Sequence, residues 1–307
     1  FGFPLDLTEV ICAERGYAVD IAGYDAAMDE ARKRSEFRGM EQAVESVYRD
    51  ALQKVASGAV AFTGYEHDLD QSRVVALIKS GALCDSVSAG DQVEVVTERT
   101  PFYGESGGQV GDQGVVTLEG VRLQVSDTQR PVAGLVVHRC SVEAGTLSVG
   151  DEVELRVDVA RRDATRRNHS ATHLLHWALR KVVGAHAQQK GSLVGPERLR
   201  FDFTHGKPLS HEQVSEIEDL VNQRALANAP IRTEVLSMDE AKKRGAMMIF
   251  EEKYGDTVRM LSMLESTELC GGTHARATGD IGLFKIQAEQ GVAAGVRRVV
   301  ATTGEGV

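Results

Sequence analysis

His169 and His173 stand four residues apart in a stretch, Asp163 to Val183, that contains neither Pro nor Gly. On a helix turning about 100° per residue they project from one face, one turn apart, the spacing that offers two imidazoles to a single ion. Far downstream, Cys270-Gly271-Gly272-Thr273-His274 sets a thiol and an imidazole around a two-glycine bend. Glycine admits a positive-φ turn that would let both side chains converge on one point. Soft thiolate with imidazole suits zinc better than magnesium or calcium. The expected metal ligands are therefore His169, His173, Cys270 and His274. Four protein ligands normally close a structural zinc, whereas a catalytic zinc keeps a position open for water. Spacing alone leaves both readings standing. His176 shares the helical face and reads as a partner behind the ligands or as packing. His138, His186, His205 and His211 show no paired spacing and read as loop or surface histidines.

Two further patterns could do chemistry. In Gly104-Glu105-Ser106-Gly107-Gly108-Gln109-Val110-Gly111, missing side chains let backbone N–H groups approach a phosphate or ribose. The same stretch would also serve as a barrel turn. Arg161, Arg162, Arg166 and Arg167 precede the histidine pair on its helix. Cations near a helix start oppose the helix dipole, so a phosphate partner is the expected explanation. Lys242, Lys243 and Arg244 form a second basic patch, and Arg297 with Arg298 a third.

The elements that must position these residues can be read from periodicity. Residues 1–58 read as a helical segment: Met28, Ala31, Phe37, Met40, Val44, Val47 and Leu52 keep a rough helical period. Residues 59–159 carry short β-branched runs separated by Gly and Asp turns, which predicts a small β-barrel. The runs are Val74–Ile78, Gln92–Thr97, Val115–Thr117, Val121–Val125, Leu135–His138 and Val153–Val159. Residues 160–307 mix the two types. Helices are expected at Asp163–Val183, His211–Asn228 and Met238–Gly245, and strands at Leu199–Thr204, Pro230–Ser237, Thr257–Met263 and Gly282–Glu289. The fold class is α+β: an N-terminal helical segment, a small barrel, and a mixed domain with a helix-borne metal site.

Bulk properties bound the function. At 307 residues, two or three domains are expected. A net charge of −10 argues against non-specific nucleic-acid binding, leaving RNA contact to local basic patches. No apolar run nears the ~20 residues of a membrane helix, and no signal peptide is visible. Cys12, Cys84, Cys140 and Cys270 are widely scattered, which points to a reducing, cytoplasmic setting rather than a disulfide framework. Neither a dinucleotide fingerprint nor a phosphate-binding P-loop sequence occurs. The chain opens at Phe1 without Met and stops at Val307 after an apolar stretch, and so reads as a piece of a longer protein.

Arg167-Asn168-His169-Ser170-Ala171-Thr172-His173-Leu174-Leu175-His176 with Leu269-Cys270-Gly271-Gly272-Thr273-His274 resembles the editing domain of alanyl-tRNA synthetases. That domain also occurs in free-standing alanyl-tRNA editing proteins, with a relative in threonyl-tRNA synthetase. Phe1–Thr8, Thr100–Gln109, Gln189–Leu193 and Gly295–Arg298 extend the resemblance along essentially the whole chain. The opening segment resembles the end of the synthetase's helical tRNA-recognition region, which free-standing editors lack.

The resemblance implies hydrolysis of seryl and glycyl esters on the acceptor end of alanine tRNA, at a site holding Zn2+. ATP-dependent attachment of alanine would lie in parts of the parent chain absent here. It implies catalytic roles for Cys270, Gln189, His169 and His173. Substrate or tRNA contacts are expected from Gly107, Gly108, Gln109, Arg166, Arg167, Gln189, Ser192 and Thr273. The reaction makes physical sense. A pocket sized for alanine cannot exclude glycine and rejects serine poorly, since one methylene is worth only about 1–3 kcal/mol. Accuracy then requires a second, hydrolytic site with a polar group for the serine hydroxyl, and Gln189 is the expected one. Cys270 could be a constant ligand or could touch the substrate amino group when metal is absent. One rival is a non-catalytic module that binds the acceptor arm around a structural zinc. A threonyl-type or free-standing deacylase is the other, disfavoured by Phe1–Thr8 and the wide barrel.

Overall fold

The computed structural model describes residues 19–21, 23–24, 38–247 and 255–307. Phe1–Thr8, Cys12 and most of the expected helical period before residue 38 lie outside the described residues. The chain divides into two compact units, Phe1–Val47 and Tyr48–Val307. In the first, the described structure is chiefly the beginning of the helix Arg38–Gln53. Within the second, the helix buries Ala51, and Tyr48 donates its hydroxyl to Glu94 at 2.9 Å.

Six antiparallel strands close a barrel. In spatial order they are Leu69–Lys79, Gln92–Thr97, Val137–Ala144, Val121–Gln129, Gly114–Leu118 and Glu152–Val157, and the last pairs back onto the first through Glu152–Arg73 and Arg156–Leu69. Closure leaves the ladder no free edge. Burial alternates along the strands, and Leu77, Val95, Val116, Leu123, Val125 and Leu155 are fully buried in the interior. The barrel expectation holds, with one strand displaced: Leu135–His138 is only the entry to Val137–Ala144. His138 is no surface histidine. It is fully buried, its Nδ1 donates to the Val95 carbonyl at 2.8 Å, and its Nε2 accepts from Thr100 Oγ1 at 2.7 Å. Burial lowers its pKa to about 4.

The rest of this unit is built on the helix Val159–Val183. It starts four residues earlier than expected because Asp158 caps it, accepting from Arg161 N at 3.0 Å. Gly184, at φ 114°, ends it. A four-stranded antiparallel sheet follows, ordered Gln189–Val194, Leu199–Thr204, Val296–Thr303 and Phe284–Ala293. The helix His211–Leu226 opens with a capping box between Ser210 and Gln213. A three-stranded antiparallel sheet joins Arg232–Ser237, Thr257–Met263 and Ser266–Leu269. One core unites these parts: Leu174, Leu175, Ala178 and Leu179 of the long helix meet Phe201, Phe203, Ile217, Val221, Leu261, Phe284 and Val299. Helices segregated from antiparallel sheets make this portion α+β, as expected. No described helix is long and apolar enough to cross a membrane.

Candidate metal centre

The long helix turns His169 and His173 toward the loop that leaves the strand Ser266–Leu269. Nε2 of His169, His173 and His274 and Sγ of Cys270 can converge there, with one ligand atom from each residue within 4.8 Å of the others. Cys270 Sγ lies 3.5 Å from His169 Nε2 and 3.2 Å from His274 Nε2. His173 Nε2 is buried and has no hydrogen-bond partner. An orphaned imidazole nitrogen aimed at a thiol and two other imidazoles fits a bound metal ion, because a buried polar atom otherwise goes unsatisfied only at a cost.

Each imidazole is held by its other nitrogen. His169 Nδ1 donates to Gln109 Oε1 at 2.8 Å, since an amide oxygen only accepts. His173 Nδ1 lies 2.6 Å from Glu268 Oε2, also an acceptor. His274 Nδ1 sits 3.4 Å from Ser170 Oγ. Both histidines of the long helix therefore direct Nδ1 to an acceptor and leave Nε2 facing the cluster. Gln109 is fully buried: Oε1 also accepts from Thr273 N at 2.9 Å, and Nε2 donates to Thr273 Oγ1 at 2.9 Å. Glu268 is anchored by Ser266 Oγ at 3.0 Å and approaches His176 Nδ1 at 3.7 Å.

The two glycines of the ligand loop do not act as expected. Neither Gly271 nor Gly272 has a positive φ. At Gly272 the requirement is close approach: a Cβ there would collide with the His169 ring and the Gln109 amide. Tyr65 and Arg259 fix the loop from outside. Tyr65 donates to Gly271 O at 2.6 Å, and Arg259 Nη1 donates to Gly272 O at 2.9 Å and to Cys270 O at 3.1 Å. The Arg259 guanidinium stacks over the Tyr65 ring at 4.0 Å.

The charges of the site act on one another. Burial pushes the Cys270 thiol up, but His169 and His274 beside it outweigh burial and bring it well below its usual value. Gly272 N–H, 3.5 Å from Sγ, also favours thiolate. Burial disfavours a charge on His173, yet the Glu268 carboxylate raises it to about 10. Glu268 itself is held well below the usual carboxylate range by His173, against the effect of burial. Burial and the neighbouring His169 lower His274 to about 3.

A cleft of about 260 Å3 opens onto this cluster. Gly107, Gln189 and Ser192 line it, as do Tyr103 and Arg130. Gln189 Nε2 donates to Ser192 Oγ at 3.1 Å. Gly108, at φ 87°, packs so closely on Ser192 that a Cβ would clash. Gln109 and Thr273 are buried in the wall, so Gln109 orients the His169 imidazole rather than reaching into the cleft. The arginine cluster is largely accounted for within the protein. Arg162 is fully buried; its Nε donates to Asp112 at 2.8 Å, Nη2 to Pro101 O at 2.6 Å, and Nη1 to Gly64 O at 2.9 Å. It cannot meet a phosphate. Arg166 pairs with Asp163 at 2.9 Å and Asp68 at 3.1 Å. Arg167 lies beside Gly304 with its Nε buried and unpartnered. His186 and His205, unpaired by spacing, meet at 3.0 Å.

Sequence reasoning missed Glu268, Tyr65 and Arg259. Glu268 carried a usable signal, lying two residues before a ligand on a strand that leads into the site. Tyr65 carried none.

Residues 1–161 match the family described as tRNA synthetases class II (A). Residues 258–300 match the threonyl and alanyl tRNA synthetase second additional domain. Among curated relatives, an alanine–tRNA ligase of Sorangium cellulosum is 58% identical over 317 residues, covering 99% of this chain and 34% of the relative. Those of Anaeromyxobacter sp. (strain Fw109-5) and Mesorhizobium japonicum are 55% and 49% identical, covering 99% of this chain and 34% and 36% of the relatives. The chain thus spans about a third of the length of the curated relatives it matches.

Proposed function

This chain belongs to the alanyl-tRNA synthetase family, and on that premise we propose that residues 160–307, completed by a barrel loop, hydrolyse seryl and glycyl esters wrongly formed on alanine tRNA. The observation that carries this reading is the convergence of three imidazoles and a thiol at the floor of a cleft walled by Gln189 and Ser192. Residues 59–159 then form a barrel subdomain and 1–58 a connector from the tRNA-recognition region. Aminoacylation with ATP belongs to the remainder of a cytoplasmic parent synthetase.

His169, His173 and His274 would hold Zn2+ through Nε2, and Cys270 through Sγ. Bound there, zinc supplies a Lewis acid that polarises an ester carbonyl or activates water near neutral pH. Gln109 and Glu268 keep two ligand imidazoles aimed. The Gln189 amide, already paired with Ser192 Oγ, hydrogen-bonds the serine hydroxyl. An alanyl ester cannot make that contact, which gives the seryl-over-alanyl preference its sign. Gly107, with φ 60° and an unobstructed Cα, lets backbone approach the terminal nucleotide.

A closed four-ligand site also suits a module that binds the acceptor arm without cleaving it, and the number of protein ligands favours that second reading. One assay separates them. Ser-tRNA, Gly-tRNA and Ala-tRNA made on alanine tRNA are offered to the purified chain, then to chain stripped with a chelator, then with zinc restored. The deacylase reading expects selective loss of the seryl and glycyl esters, abolished by stripping and recovered with zinc. Full activity after stripping sinks the zinc reading, and intact esters throughout leave the binding module. Gln189→Ala is expected to lower the seryl-over-alanyl preference about tenfold, the worth of one hydrogen bond. An unchanged ratio of kcat/KM values removes Gln189 from recognition.

A further inference from the structure

A second cleft, about 450 Å3, is lined by four arginines: Arg161, Arg198, Arg200 and Arg298. They come from separate places in the fold. Arg161 lies in the first turn of the long helix, Arg198 in the turn between two sheet strands, and Arg200 and Arg298 on adjacent strands. Cross-strand register puts Arg298 opposite Asp202, and Arg200, two residues from Asp202, shares its face of the sheet. The opposing carboxylates are few. Asp202 is held by Arg298 at 2.6 and 2.7 Å and lies 3.9 Å from Arg200 Nε. Glu197 lines the cleft and has no basic partner among the described residues. Arg161 and Arg198 have no carboxylate partner among the described residues, and the Nε atoms of Arg161 and Arg200 are buried without an acceptor. Positive charge therefore exceeds negative in this cleft, in a chain whose net charge is −10. Internal pairing explains Arg162 and Arg166, and in part Arg200 and Arg298 through Asp202, but it does not explain Arg161 or Arg198.

The cleft shares a wall with the metal-centre cleft. The strand Gln189–Val194 gives Gln189 and Ser192 to one and Leu193 to the other. The glycine-rich loop, joined to that strand through Val194 N to Gly108 O at 2.7 Å and Val110 N to Val194 O at 3.0 Å, gives Gly107 to one and Val110 to the other. A chain with its end in the metal cleft need only cross this ladder to bring its next segments over the arginines. Planar guanidinium forks match phosphate oxygens.

We infer that the Arg161–Arg198–Arg200–Arg298 cleft binds backbone phosphates of the RNA strand whose 3′-terminal ester enters the metal cleft. This rests on the deacylase reading for its substrate, but the binding test does not need catalysis. Affinity for uncharged alanine tRNA is measured by fluorescence anisotropy across a salt series, for the parent chain, Arg198→Ala, and Arg161→Ala with Arg198→Ala. Arg198 sits in an exposed turn, and thermal melting checks that each variant folds. Removing each arginine that neutralises a phosphate should reduce the slope of log affinity against log salt by about 1, and the double variant should bind about tenfold more weakly. Affinity and slope equal to the parent's overturn the inference. So does an effect confined to inorganic phosphate, which would mark a free-anion site. Hydrolysis of 3′-O-seryl-adenosine, which has no internucleotide phosphate, is run in parallel. If it falls as far as hydrolysis of seryl-tRNA, the arginines act through the metal cleft and the inference fails. If the parent chain hydrolyses neither ester, the deacylase reading fails, while the salt slope still decides the cleft.

Discussion

At the proposed metal centre, Glu268→Gln is expected to weaken metal binding about tenfold to a hundredfold, measured by competition with a chelator of known affinity. Glu268 is 1% exposed and sits 2.6 Å from His173 Nδ1. An ionised carboxylate there makes the imidazole a better donor at Nε2 and fixes its tautomer. Glutamine keeps the size and one acceptor but removes the charge, and its NH2 can present a donor where an acceptor is needed. Glu268→Asp keeps the charge at a shorter reach and should recover part of the loss. If the Gln variant binds metal as tightly as the parent, His173 is held by packing alone. His176 should not substitute for Glu268. Its ring packs against Phe201 at 5.3 Å, and neither ring nitrogen has a hydrogen-bond partner.

Arg162→Ala should destabilise the chain by about 3–5 kcal/mol, because it leaves the Asp112 carboxylate buried without its cation. Asp112 is 4% exposed and also accepts from Tyr103 N at 2.6 Å. The guanidinium further satisfies the Pro101 carbonyl, which would be left unpaired as well, and the Gly64 carbonyl, which would keep only a long bond of 3.5 Å from Arg166. Thermal unfolding should begin roughly 10 °C lower for a loss of this size. Replacing both partners together, Arg162→Met with Asp112→Leu, should cost much less than the sum of the single changes, since no charge is stranded. Additive costs in that double-mutant cycle would show that the two side chains act independently. The pair also ties the loop bearing Gln109 to the helix bearing His169, so Arg162→Ala should weaken metal binding although it touches no ligand.

The four residues of the candidate centre are legible in the sequence because their information is local. His169 and His173 announce themselves by helical spacing, and Cys270 and His274 by a short loop. Leu199–Thr204 and Thr257–Met263 form at their expected limits because apolar residues recur along them. Val296–Thr303, central in its sheet, escapes periodicity because Arg297 and Arg298 interrupt its apolar run; their charges are absorbed by Glu289 and Asp202. Gln189–Val194 escapes it because the strand is polar, and its pairing with Leu199–Thr204 bulges between Gln189 and Gly191. Periodicity has no access to such partners. The purpose of Gly272 is hidden for a related reason: it is set by a ring from another element, not by its own backbone angles. Gln109 reads as a loop residue facing a nucleotide because its actual partners, His169 and Thr273, lie 60 and 164 residues away.

Those separations bear on when the centre can exist. Tyr65 reaches Gly271 across 206 residues, and Cys270 meets His169 across 101. Contacts that close such long loops form after local structure, because their entropic cost falls due before their reward. A growing chain exposes the two helix histidines well before Cys270 is made, and so offers only half of the proposed ligand set. On the proposed metal-site reading, tight metal uptake becomes a completion signal, available only to molecules in which the barrel loop, the long helix and the Cys270–His274 loop have all docked.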